Sequence, residues 1–108
     1  CMTELKRMEL KELEERMHAF VAEKGWYAPD SPKQQTARNL ATSLVLEAAE
    51  VLEHFQWTEE VRDREALAGE IADVALYLLQ LASISEIDLE DAILAKLAEN
   101  REREWPAP

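Results

Sequence analysis

The stretch LEAAEVLEHFQWTEEVRDREALAGEIADVALYLLQLASI, residues 46–84, decides the fold. Its two flanks are apolar and its middle, Thr58-Glu59-Glu60-Val61-Arg62-Asp63, is polar, which predicts two helices joined by a turn. On the first flank and just before it, Leu40, Leu44, Val45, Ala48, Val51, Leu52 and Phe55 cover a broad arc, the pattern of a largely buried helix. On the second, IADVALYLLQLASI (71–84) holds only Asp73 and Gln80 as strongly polar members, so this helix is expected in the middle of the core. Helices are predicted from about Pro32 to Trp57 and from about Asp63 to Ser85.

The carboxylates inside these helices carry the chemistry. Glu47 and Glu50 are three residues apart, as are Glu70 and Asp73, so each pair points from one helical face. In an antiparallel hairpin, residues equally distant from the centre face each other. The means of 47 and 73 and of 50 and 70 are both 60, inside the polar break. Four carboxylates therefore converge between helices that are otherwise apolar. They cannot all stay ionised there without a cation. Oxygen-only ligation, with one cysteine and only His18 and His54 in the chain, suits a hard ion such as Mg²⁺, with Mn²⁺ a substitute. His54, one turn beyond Glu50, reads first as a packed or solvated histidine and second as a partner of these carboxylates.

Outward from this hairpin the chain is sparsely punctuated, with two glycines and four prolines. Leu10, Leu13, Met17 and Phe20 recur at helical spacing, and Gly25 stands in a stop position, which predicts a first helix over about Thr3–Lys24. Residues 26–36, WYAPDSPKQQT, read as a loop, with Ser31-Pro32 as the cap and first-turn pair of the next helix. Residues 85–88 form a turn with Asp88 as N-cap, and a last helix runs to about Glu104, before Trp105-Pro106. Lys96, Asn100 and Arg103 lie at i, i+4 and i+7, a polar and basic stripe able to hold phosphate oxygens, with Arg101 beside it. The competing reading is cations enriched in a final helical turn. Trp57 and Tyr77 could flank a base by stacking, or simply fill the core.

The expectation is a single domain over residues 1–108, all-α, with four helices. Asp and Glu number 23 against 12 Lys and Arg, a formal net charge of -11, which argues against a nucleic-acid duplex as partner. Cys1 excludes a disulfide framework and a thiolate zinc site, and has no role assigned, since it precedes Met2. No uninterrupted apolar run reaches the roughly 18 residues of a membrane span, and no signal-peptide stretch opens the chain. The expectation is a cytoplasmic protein with no membrane partner. Two almost wholly apolar helices in 108 residues leave too little chain to cover both, which predicts a homo-oligomer.

LEAAEVLEHFQW (46–57) followed by GEIADVALYLL (69–79) resembles the E-x-x-E, spacer, E-x-x-D signature of the MazG-like all-α nucleoside triphosphate pyrophosphohydrolases, including their dCTP pyrophosphatase branch. The likeness runs from about Gly25 to Pro106 and adds Arg38-Asn39-Leu40, Phe55-Gln56-Trp57, Tyr77, Lys96 and Asn100-Arg101. It implies a four-helix bundle completed by homodimerisation, often as a dimer of dimers. It further implies Mg²⁺-dependent hydrolysis of a nucleoside triphosphate between the α and β phosphates, releasing monophosphate and pyrophosphate, a house-cleaning reaction of the nucleotide pool. Glu47, Glu50, Glu70 and Asp73 become the metal ligands by this resemblance, and Arg38 and Asn39 join the substrate-binding candidates. Gln35-Thr36-Ala37 replaces a His-x-Pro frequent in the dCTP branch, which leaves base and sugar preference open, and Trp105-Pro106 lies one residue further along than in those relatives. Two rival readings make different demands on the sequence. A di-iron bundle requires E-x-x-H, but Val51 stands three before His54. A non-catalytic helical dimerisation module that retains the fold predicts no metal dependence and no pyrophosphate release.

Overall fold

The computed structural model describes residues 8–104 and 106. These residues form four helices and no strand: α1 (Leu10–Glu23), α2 (Ala37–Glu53), α3 (Arg64–Ile84) and α4 (Leu89–Glu102). The most extensive packing joins α2 to α3, the predicted hairpin, while α1 and α4 lie against α3.

Local chemistry explains each boundary. α1 opens at Glu9 through a reciprocal capping box with Glu12, so the part of the first helix expected from Thr3 lies outside the described residues or, at Met8, outside the helix. It ends as foreseen. Gly25 adopts φ 77°, and the Trp26 and Gly25 amides bond the carbonyls of Val21 and Ala22, a Schellman closure. The second helix begins later than predicted. The Ser31 hydroxyl accepts from the Lys33 amide at 3.0 Å and closes a local turn, whereas Thr36 caps α2 by accepting from the Asn39 amide at 3.1 Å. It also stops at Glu53, so Phe55, Gln56 and Trp57 belong to the connection to α3. Asp63 and Asp88 cap α3 and α4 through the amides of Ala66 and Asp91, each at 3.0 Å. A second Schellman closure ends α3, with Glu86 at φ 58° in the place usually held by glycine.

The core is small. Met17 and Val21 of α1 meet Leu79 of α3, bordered by Leu10, Trp26 and Leu89, and Leu40 is buried separately at the start of α2. Here the sequence expectation needs correction. Within one protomer α2 is not largely buried, since Val45, Leu46 and Leu52 are 66%, 60% and 69% exposed, and α3 is not enclosed, since Ile71, Leu76 and Leu78 are open. Apolar periodicity shows that a face must be covered and does not say by what. The chain exposes 9088 Å², whereas a compact monomer of 12.4 kDa exposes roughly 6,100 Å².

The membrane expectation also changes. α3 is long and apolar enough, by length and composition, to cross a membrane. Asp73 and Gln80 interrupt the apolar run, but the helix as a whole remains apolar on average. Glu70 and Asp73 would each cost about 3 kcal/mol in the hydrocarbon, and α3 packs against the other three helices as the centre of a bundle.

Candidate acidic metal site

Glu47 and Glu50 stand on α2 and Glu70 and Asp73 on α3, where the hairpin packing brings the two pairs together. The Glu47 carboxyl registers this proximity. It is held above the ordinary range, first by partial withdrawal from water, then by the negative charges of Glu50, Asp73 and Glu70, and last by a hydrogen bond shared with Glu50. Glu47 Oε2 and Glu70 Oε2 are shielded from solvent and make no hydrogen bond. Two orphaned oxygens on facing helices are costly in isolation, and a cation is the partner that would satisfy both.

Glu70 is oriented by His54, whose Nε2 lies 3.1 Å from Glu70 Oε1. Both side chains are mostly sheltered, at 16% and 26% exposure. His54 is thus a partner of the carboxylates and not merely a packed ring. Its position seven residues after Glu47, on the same helical face, was the available signal. Glu50 and Asp73 are exposed. Among the described residues no three histidine, cysteine, aspartate or glutamate side chains are already grouped closely enough to hold an ion. Mutual repulsion of four like charges accounts for that spread.

The predicted substrate residues are placed less uniformly. Tyr77 is half-buried on α3 one turn beyond Asp73, on the carboxylate face. Trp57 is 87% exposed in the α2–α3 connection and therefore fills no core within the protomer. Arg38 lies nine residues before Glu47, two and a half helical turns, so it stands on the opposite side of α2. The Asn39 side-chain amide donates to the Gln34 carbonyl at 2.9 Å, tying the preceding loop to α2. Lys96 is paired with Glu99 at 2.6 Å on the open surface of α4, and Arg101 is exposed; no described contact joins either to the four carboxylates. Asn100 is half-buried and Arg103 exposed at the end of the same helix. The two acidic pairs therefore face each other within one chain without yet being grouped closely enough to hold an ion, and no described contact joins Lys96 or Arg101 to them.

Sequence reasoning missed a second polar centre. His18 bridges Tyr27 and Ser83, at 2.5 Å from Nδ1 to the tyrosine oxygen and 2.7 Å from Nε2 to the serine oxygen. The buried Gln80 donates to Tyr27 at 3.2 Å and to Gln35 Oε1 at 2.7 Å. Only the polarity of Gln80 inside an apolar run hinted at it.

Comparison with known proteins agrees with this architecture. A model of the MazG-like family matches residues 42–107. The human dCTP pyrophosphatase 1 is 39% identical over 102 residues, 85% of this chain and 56% of that protein. The dATP/dGTP diphosphohydrolase of cyanophage S-2L is 34% identical over 80 residues, 74% of this chain and 68% of that protein. A crystal structure of a pyrophosphatase from Archaeoglobus fulgidus superimposes with a TM-score of 0.77 at 34% identity, covering 94% of this chain and 96% of that one. The chain spans about half the length of the dCTP pyrophosphatases that it matches.

Proposed function

The chain belongs to the MazG-like family, and from that premise we propose that it is a nucleoside triphosphate pyrophosphohydrolase. The bond cleaved lies between the α and β phosphates, and the products are monophosphate and pyrophosphate. The observation that carries this reading is the pair of buried oxygens on facing helices, Glu47 Oε2 and Glu70 Oε2, that stand without a hydrogen-bond partner, beside a Glu47 carboxyl raised first by withdrawal from water and then by its three acidic neighbours. An all-oxygen donor set of this charge fits Mg²⁺, with Mn²⁺ able to substitute. Glu47, Glu50, Glu70 and Asp73 would hold the ion, with His54 keeping Glu70 in position. When bound, the metal supplies charge neutralisation for the phosphates and a more acidic water.

The residues themselves divide the remaining work. Glu47 and Glu70 offer sheltered oxygens, and the exposed Glu50 and Asp73 turn inward once the repulsion is relieved. One of these four carboxylates would take the proton of the attacking water in place of holding the ion. Tyr77 lies beside the clamp for stacking on the nucleoside. Trp57, Arg38, Asn39, Lys96, Asn100, Arg101 and Arg103 complete the binding surface when protomers associate, because Arg38 faces away from the clamp of its own chain. The acidic surface is no obstacle, since the nucleotide arrives as its Mg²⁺ complex. The relatives named for dCTP and for dATP/dGTP support deoxynucleoside triphosphates as the substrate class.

The test is a panel of ribo- and deoxynucleoside triphosphates incubated with Mg²⁺, with products identified. Monophosphate and pyrophosphate are expected. Orthophosphate with diphosphate would mean attack at the γ phosphate, and no turnover at any nucleotide would favour a non-catalytic dimerisation module.

A further inference from the structure

His54 closes α2, and Glu70 stands in the second turn of α3. In the hairpin register centred on 60, the residue opposite His54 is Ala66, one turn before Glu70. Helical side chains lean toward the N-terminus of their own helix, so the Glu70 carboxyl leans over Ala66, which carries only a methyl group, and meets the imidazole. Nε2 of His54 lies 3.1 Å from Glu70 Oε1, and both side chains are mostly sheltered. A carboxylate oxygen only accepts, so Nε2 carries the hydrogen.

This bond sets the two oxygens of Glu70 apart. Oε1 is held by α2, while Oε2 is shielded from solvent and has no hydrogen-bond partner, like Glu47 Oε2 on the facing helix. A carboxylate that grips a cation with both oxygens must aim both at the ion together. Glu70 cannot turn Oε1 to that use without giving up His54, so it offers one oxygen. Ions differ in what they ask of a carboxylate: Ca²⁺ gathers about six to eight oxygens, often two from one carboxylate, whereas Mg²⁺ demands a compact octahedron.

We propose that His54 is a positioning residue that holds Glu70 as a one-oxygen ligand and thereby shifts the preference of the acidic site toward small octahedral ions, Mg²⁺ and Mn²⁺, and away from Ca²⁺. This rests on the metal reading above and extends it from where an ion is held to which ion is chosen. Groups that hydrogen-bond a ligating carboxylate fix its orientation, and their loss typically weakens metal binding about 10- to 100-fold. Here the same loss also releases a second oxygen, which a larger ion can use and a compact octahedron cannot.

The experiment measures dissociation constants of Mg²⁺, Mn²⁺ and Ca²⁺ by calorimetry on the metal-free protein, with thermal unfolding alongside, for wild type, His54→Phe, His54→Leu and His54→Gln. His54→Phe keeps an aromatic ring and removes the N–H. Mg²⁺ should bind about tenfold more weakly while Ca²⁺ binding holds or tightens, so the ratio of the Ca²⁺ to the Mg²⁺ constant should fall about tenfold or more. His54→Gln returns an N–H donor on a side chain of comparable reach and should restore the wild-type ratio. An equal loss for every ion, or a ratio that does not move, marks a structural tie only and overturns the proposal. Loss of Mn²⁺ binding with Mg²⁺ binding retained would make the imidazole itself a ligand and overturns it too. If His54→Phe fails to fold, His54→Leu removes the same donor and decides the question. Absence of any ion effect on the wild type would instead sink the metal reading, a result separate from an unmoved ratio in proteins that bind.

Discussion

Glu47 shows how a single side chain reports on its neighbours. Its folded-state pKa is raised, so the stability it contributes is present below its unfolded value and is lost as pH rises through the raised one. Replacing it by glutamine, which mimics the protonated acid, should leave acid stability unchanged and raise stability at neutral pH. The expected observation, in chelator, is an unfolding midpoint difference between Glu47→Gln and wild type that is near zero at about pH 4 and grows toward pH 7. A difference that shrinks over that range would place Glu47 in a favourable ion pair. The ligand assignment is checked by Glu50→Gln and Asp73→Asn, which nearly preserve volume. Turnover should nearly vanish, Mg²⁺ should no longer raise the midpoint, and metal-free stability should hold or rise because repulsion is relieved. A structural ion pair would behave oppositely, costing about 3 to 5 kcal/mol on loss of one partner. The four carboxylates were legible because helical spacing and a common centre at 60 are sequence properties. The bridge from Gln35 to Gln80 was not, since a hydrogen bond between residues 45 apart leaves no periodic trace.

At the scale of helices, legibility followed the chemistry of the ends. Gly25 and Asp88 gave boundary signals that the structure uses, and Asp63, the expected start of the third helix, stands as its N-cap. Ser31-Pro32 misled because a serine two residues before an amide closes a local turn with the same chemistry that caps a helix. The end of α2 was overestimated because no glycine or proline stands between Glu53 and Trp57. Two matching closures offer a comparison of opposite sign. A methyl group added at Gly25 meets nothing within 4 Å, so Gly25→Ala isolates the backbone cost at φ 77° and should destabilise by about 1 kcal/mol. Glu86→Gly relieves the same strain at φ 58° and should stabilise by roughly 0.5 to 1 kcal/mol, less the entropy glycine adds to the unfolded chain. Chemical denaturation of the two variants beside wild type checks both signs.

For the whole molecule the open apolar faces govern. Val45, Leu46 and Leu52 of α2, with Ile71, Leu76 and Leu78 of α3 and Ile93, Leu94 and Leu97 of α4, expose more than isolated surface residues account for. Sedimentation at micromolar concentration should therefore give a mass at least twice the 12.4 kDa chain, and Leu52→Glu should lower both that mass and turnover. A monomeric wild type would count against the assembly. The sequence showed that these faces needed cover, but the identity of a covering chain is not encoded in one helix's periodicity. If a second copy supplies that cover, the fold is also subject to mass action. Each tenfold dilution removes about 1.4 kcal/mol of the assembled state's advantage, so the melting point should climb with protein concentration, and a preparation that turns over at stock strength should fade on dilution and revive on concentrating.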